Sequence, residues 1–185
     1  MDHIERVAQG PEKSKGLHLI EVSPQKIEGF IRMQGGKYGK GKICHFSLEN
    51  IQDLQDVLSD VEEKTQVIDL FAADEWGGVN DLHLLSDGRI GVLGHLARLT
   101  QDETGQEKKE YFTTSAIFDP QTQTISNLKI IMTPQDLGIE YEAKRPDLEK
   151  VLYPTNSVLE GDVLHIYASL GDTKPIVFTI ENPWK

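Results

Sequence analysis

The chain has 185 residues, 38% hydrophobic and 26% charged, with sixteen glycines and eight prolines. This length and mixture predict one turn-rich globular domain over residues 1–185 and exclude a disordered or low-complexity chain. The formal net charge of −11, with cations gathered only around residues 32–42, argues against nucleic acid or an anionic membrane surface as a partner.

No apolar run approaches the ~20 residues that span a bilayer, and residues 1–10 are charged where a secretory signal would be apolar. Cys44 is the single cysteine, so the chain can form no internal disulfide. Together these predict a cytoplasmic protein.

In chain order, the first element is a β-hairpin in which residues 17–22 turn into residues 27–32. A strand follows at 42–48. Residues 48–61 place Leu48, Ile51, Leu54, Leu58 and Val61 at helical spacing behind Ser47 as N-cap, which predicts one short amphipathic helix. After a strand at 67–71, Leu82-His83-Leu84-Leu85 turns through Asp87-Gly88 into residues 89–98, a second hairpin. It lies 65 residues (82 − 17) beyond the first. Strands at 110–118 and 127–132 flank the turn at 119–122, and a third hairpin turns at Glu160-Gly161-Asp162 into residues 163–170. A repeat of several short strands per unit predicts an all-β fold of propeller-like blades, about three in number. A ring needs at least about four blades, so an open edge is expected at both ends.

The segment Trp76-Gly77-Gly78-Val79-Asn80-Asp81-Leu82-His83-Leu84-Leu85 is continued by Gly88-Arg89-Ile90-Gly91-Val92-Leu93-Gly94-His95-Leu96-Ala97. It resembles an uncharacterised family, domain of unknown function 1861. The resemblance extends through Gln34-Gly35-Gly36-Lys37-Tyr38-Gly39-Lys40 and Lys144-Arg145-Pro146-Asp147-Leu148. It implies a distant relative of the five-bladed propellers of arabinanases, invertases and mannoside phosphorylases, present here as a partial propeller lacking the N-terminal blades. Where the family carries a Met-Lys-Asp-Ile-Arg-Leu pattern, this chain reads Ser14-Lys15-Gly16-Leu17-His18-Leu19, without the acid and the arginine.

In such propellers the inner strands open onto a central funnel, and the resemblance places residues 76–81 at its mouth. Trp76 is the candidate to stack on a sugar ring, and Asn80 and Asp81 to bind its hydroxyls; the plain alternative is a packed turn. Glycoside cleavage ordinarily uses two carboxylates ~5–10 Å apart, for which Asp81 and Asp147 are the catalytic candidates. Arg145 would hold Asp147 ionised or grip an anion, or the two would only fix a loop. Arg32, Gln34 and Lys37 are candidates for phosphate binding in a glycine-rich connection that is not a P-loop; a solvated hairpin is the alternative. His95 is a candidate funnel hydrogen-bonding group. His18 and His83 lack a tight ligand cluster, so neither a metal nor another cofactor is expected.

Two functions remain open at this point. One is a carbohydrate-active or carbohydrate-binding protein for a small glycan or glycosyl phosphate. The other is a non-catalytic fragment that self-associates or pairs with a chain carrying the N-terminal half.

Overall fold

The structure, a computed structural model, describes residues 5–185. Strands β1 (Ser14–Ser23), β2 (Lys26–Met33), β3 (Lys42–Leu48) and β4 (Gln66–Ile68) form a four-stranded antiparallel sheet in chain order. A second antiparallel unit follows, built from β5 (Glu75–Leu84), β6 (Ile90–Gln101), β7 (Glu107–Asp119) and β8 (Thr124–Met132). The third contains β9 (Lys150–Glu160), β10 (Val163–Leu170) and β11 (Lys174–Glu181). Glu110 and Tyr111 of β7 pair in parallel with Lys150 and Val151 of β9, which joins the second and third units into one sheet.

The second unit lies between the other two. Residues 90–97 of β6 are buried without interruption, as expected of a strand covered on both faces. On one side Phe30, Ile43 and Ile68 meet Val79, Ile90, Val92 and Phe118; on the other Leu93 and Ile117 meet Leu164, Ile166 and Trp184. A Cβ at Gly91 would come 2.5 Å from Trp184 Cδ2 and 2.8 Å from its Cε2, so only glycine lets the indole lie flat on β6. Gly91→Val is accordingly expected to lower the unfolding free energy by ~1–3 kcal/mol in urea titration; an unchanged midpoint would show that the indole moves aside freely.

The expected strand at 42–48 is β3, and the Asp87-Gly88 turn forms with Gly88 at φ +83°, a conformation glycine adopts without strain. The single helix expected over 48–61 is broken. A 3-10 turn at Ile51–Asp53 leads into α1 (Leu54–Ser59), and α2 (Val61–Lys64) starts anew after Asp60. Asn50, not Ser47, caps the start, accepting from the Gln52 amide, because Ser47 is committed to β3. The apolar spacing holds nonetheless: Leu54, Leu58 and Val61 pack on Ile31, Cys44, Phe46 and Leu48. This segment covers the outer face of the first sheet, so the expectation of a bare face at both ends is corrected at this one. Among the described residues no helix is long and apolar enough to cross a membrane.

Candidate functional site

Strands and connections from all three units converge on one cavity system. Arg32 closes β2, and the following connection folds back over it because Gly35, Gly36, Gly39 and Gly41 all take positive φ. The Lys40 carbonyl then accepts from Arg32 Nη2 at 2.9 Å and from Gln34 Nε2 at 3.0 Å. Strand alternation on β7 separates Lys109 and Tyr111 from Lys108 and Glu110. Lys108 and Glu110 are spent on structure: Lys108 donates to the Pro146 carbonyl, and Glu110 pairs with Arg98 and Lys150.

Two adjoining cavities of about 380 and 500 Å³ share Lys15, Arg32, Lys109 and Tyr111 in their walls. The first adds Gln34, Lys40 and Trp76, and the second Arg145, Tyr153 and Asp172. Five cationic side chains therefore line one region of a chain whose net charge is −11. Glu107 and Asp172 are the carboxylates in these walls, and Asp172 is engaged by Lys144 at 2.8 Å. Such a concentration of positive charge beside tyrosines and a tryptophan suits an anionic ligand with an apolar ring face.

Behind this wall stands His95, 2% exposed. Its ring stacks on Tyr111 (centroids 5.6 Å apart, planes at 13°) and packs against Tyr153 at 4.9 Å. His95 Nδ1 lies 2.7 Å from Asn80 Oδ1, and Asn80 Nδ2 donates to the Pro154 carbonyl at 2.7 Å. Burial, reinforced by the charges of Arg32 and His18, holds the His95 pKa down to about 3, so the ring is neutral at physiological pH.

The residues singled out from the sequence fall into three places. Arg32, Gln34, Trp76 and Arg145 line the cavities. Trp76 is 6% exposed, donates to the Tyr111 hydroxyl at 3.2 Å and carries the Lys40 ammonium 4.9 Å from its ring centroid, so little of its face is open. Asp147 borders the site at the 3-10 turn Pro146–Leu148, bonded by Lys109 Nζ at 2.8 Å and by both Arg145 Nε and Nη2. Those bonds, Lys109 first, lower its pKa to about 2.

Asn80 and His95 form the supporting layer. Lys37 is not brought to the cavities: its ammonium pairs with Glu62 of α2, which turns it toward the helical segment. Asp81 belongs to a different network. Its Oδ2 accepts from the Ser157 amide at 2.6 Å and hydroxyl at 3.0 Å, its Oδ1 accepts from the Leu82 amide, and His83 Nε2 lies 2.7 Å from Ser157 Oγ. It thereby stitches β5 to β9. The sequence reading passed over Lys15, Lys40, Lys109, Tyr111 and Tyr153, whose convergence depends on strand register. Among the described residues there is no group of three or more His, Cys, Asp or Glu arranged to hold a metal ion.

Solved structures share this architecture. MPT-4, a mannose phosphorylase from Leishmania mexicana solved in complex with a phosphate ion, superposes with a TM-score of 0.83 at 28% identity, over 95% of this chain and 54% of its own. MPT-1, a GDP-Man-dependent mannosyltransferase from the same organism, gives 0.79 at 31% identity with the same coverage. A β-1,2-mannobiose phosphorylase from Listeria innocua, at 16% identity and a TM-score of 0.65, shares the fold over 92% of this chain and 45% of its own. The chain thus spans about half the length of these relatives. Among curated proteins nothing matches. The profile of the family described as "Protein of unknown function (DUF1861)" matches residues 1–185, and the chain belongs to that family.

Proposed function

We propose that the chain is the ligand-binding part of a carbohydrate-active protein, and that its cavity takes a small glycan or glycosyl phosphate. The observation that carries this reading is the convergence of Lys15, Arg32, Lys40, Lys109 and Arg145 beside Tyr111 and Tyr153 in an otherwise acidic chain. The similarity to a mannose phosphorylase bound to phosphate and to a mannosyltransferase supports the choice of a sugar and an anion. In this reading the three strand units are about three blades of a five-bladed propeller, residues 1–185 form one domain, and the protein is cytoplasmic.

Arg32 and Arg145 grip the anionic group, with Lys15 and Lys109 adding charge. Asp147 is held ionised well below neutral pH, so it serves as the counter-charge that positions Lys109 and Arg145; the same low pKa makes it a poor proton donor and a poor general base. Asp81, engaged with Ser157 on both atoms of that residue, acts as an interstrand tie. A second reading is a binding or structural role without catalysis, supported by the engagement of both Asp81 and Asp147 in hydrogen-bond networks.

Calorimetric titration of the whole chain with inorganic phosphate, D-mannose and mannose 1-phosphate tests the first reading. Mannose 1-phosphate is expected to bind, with affinity reduced at least about tenfold by Arg32→Ala or Arg145→Ala and untouched by Lys37→Ala. Raising the salt concentration should weaken it further. Binding indifferent to both arginines would remove the cavity assignment.

A further inference from the structure

Among the described residues three aromatic side chains line the two cavities, and they differ in how much ring they offer. Trp76 is 6% exposed, and the Lys40 ammonium lies over its ring. Tyr111 is half-buried, with its ring stacked on His95 and its hydroxyl accepting from the Trp76 indole N–H. Tyr153 is the most open of the three, at 38%. The buried His95 ring supports it from within, at a centroid distance of 4.9 Å. A ring held by protein on its inner side and open on the other is a platform for an apolar ligand face.

Strand pairing fixes where that platform stands. Tyr153 lies opposite Ser169 of β10, and both line the second cavity together with Leu148 and Val151. Lys15, Arg32 and Lys109 belong to the wall that the two cavities share. An anionic group held at this common wall leaves the rest of its ligand to extend into one cavity or the other. In the first, the ring that the second does not share is Trp76, which is covered. The second offers the open ring of Tyr153 with two aliphatic side chains beside it.

We propose that Tyr153 is the specificity-determining platform of the site: the ligand's anionic group lies at the common wall, and its pyranose ring extends into the second cavity with a C–H face against Tyr153. This rests on the reading of the cavities as a sugar-phosphate site and assigns the recognition of the ring, as distinct from the charge, to one residue. Contact between C–H bonds and an aromatic face removes apolar area of both from water. A phosphate ester without a ring gains nothing from it. Trp76 has a different part, holding the Tyr111 hydroxyl through its N–H and carrying Lys40 on its face.

Calorimetry on the full chain with two phosphate monoesters, D-mannose 1-phosphate and glycerol 1-phosphate, separates ring from charge. The wild type is expected to prefer the sugar ester. Tyr153→Ala should weaken mannose 1-phosphate at least about fivefold and leave glycerol 1-phosphate within about twofold, whereas Tyr153→Phe, which keeps the ring, should bind both as the wild type does. A loss shared equally by the two esters, or no loss, would overturn the proposal. A second measurement does not depend on the alanine variant folding. In the wild-type chain bound to mannose 1-phosphate, nuclear Overhauser effects are expected between sugar C–H protons and the Tyr153 ring, whose resonances are assigned by their absence in Tyr153→Phe. Contacts from Trp76 alone would put the sugar in the first cavity and overturn the assignment. Binding of both esters with equal affinity removes the platform and leaves the anion site standing, whereas binding of neither overturns the reading of the cavities and the platform with it.

Discussion

Replacement of Glu28 by alanine is expected to lower the unfolding free energy by ~3–5 kcal/mol, the cost typical of removing one partner from a buried charged network. Glu28 is fully buried on β2, with three polar side chains gathered around its carboxylate. Oε2 accepts from Ser47 Oγ at 2.6 Å and lies 2.7 Å from His45 Nε2, while the Lys26 ammonium stands 2.9 Å from Oε1. The cluster ties two units together. Lys26 also donates to the Pro120 carbonyl at the β7–β8 turn, and His45 packs 4.5 Å from Phe118 of the second unit and 5.2 Å from Phe30 of its own. Alanine would leave His45 and Ser47 facing a void, whereas Glu28→Gln keeps the volume and should cost less.

The same carboxylate gives the effect a pH signature. Burial alone would raise its pKa, but the bonds from His45, Ser47 and Lys26 outweigh burial and bring it from 4.5 to about 2. The folded chain therefore holds fewer protons here than the unfolded chain between those values. Its stabilisation is complete above pH 4.5 and disappears as the pH falls toward 2, a change on the order of 3 kcal/mol. Urea titrations from pH 7 to pH 3 should show the wild type losing stability in that window and Glu28→Ala following a shallower course. Equal slopes, with a midpoint difference below about 1 kcal/mol, would mean that the network contributes little.

Local signals read well from the sequence where one element decides the outcome. β3 spans the expected residues 42–48, and the Asp87-Gly88 pair marks the β5–β6 turn. β11 was overlooked although Ile176, Phe178 and Ile180 alternate inward, because Pro175 at its start reads as a breaker; Pro175 sits on an edge strand, where a missing amide costs no ladder bond. The helix was placed correctly on its apolar face but not as one piece, since Asp60 is better used as the cap of α2, accepting from the Glu63 amide. Arg32 and Gln34, singled out beside a glycine-rich connection, both line the first cavity. Lys15, Lys109, Tyr111 and Tyr153 were not legible, because each is one alternate position of a strand and meets the others only once β1, β7 and β9 are in register. The tie made by Asp81 was not legible for a related reason: its partner Ser157 is 76 residues away. No local pattern reveals that the carboxylate already accepts from the Ser157 amide and hydroxyl.

The purified 185-residue chain is expected to gain mass with concentration in light scattering, and a Tyr167→Asp/Val177→Asp double variant to run as a monomer. The cause is the asymmetry between the two ends of the fold. At the first sheet, Leu54, Leu58 and Val61 seal the outer face. At the third unit, register places Tyr153, Val158, Val163, Tyr167 and Val177 on one face, away from Leu164, Ile166 and Leu170, which pack inward. All five are exposed, Val177 at 58% and Tyr167 at 41%, and a cavity of about 450 Å³ runs between Tyr167, Pro175 and Val177. Five of the eleven large exposed hydrophobic residues among those described thus share a single sheet face. Single exposed apolar residues are ordinary, but five on one sheet face favour association by removing their area from water. β11 adds a free strand edge, blunted at one end by Lys174 and Pro175 but open along Ile176–Glu181 in its backbone groups. Because Tyr167 and Val177 contribute little to the interior, two aspartates there should leave the melting midpoint within a few degrees while repelling a second apolar face. A wild-type chain that stays monomeric at high concentration, binds no hydrophobic dye and melts cooperatively would show that this face tolerates water.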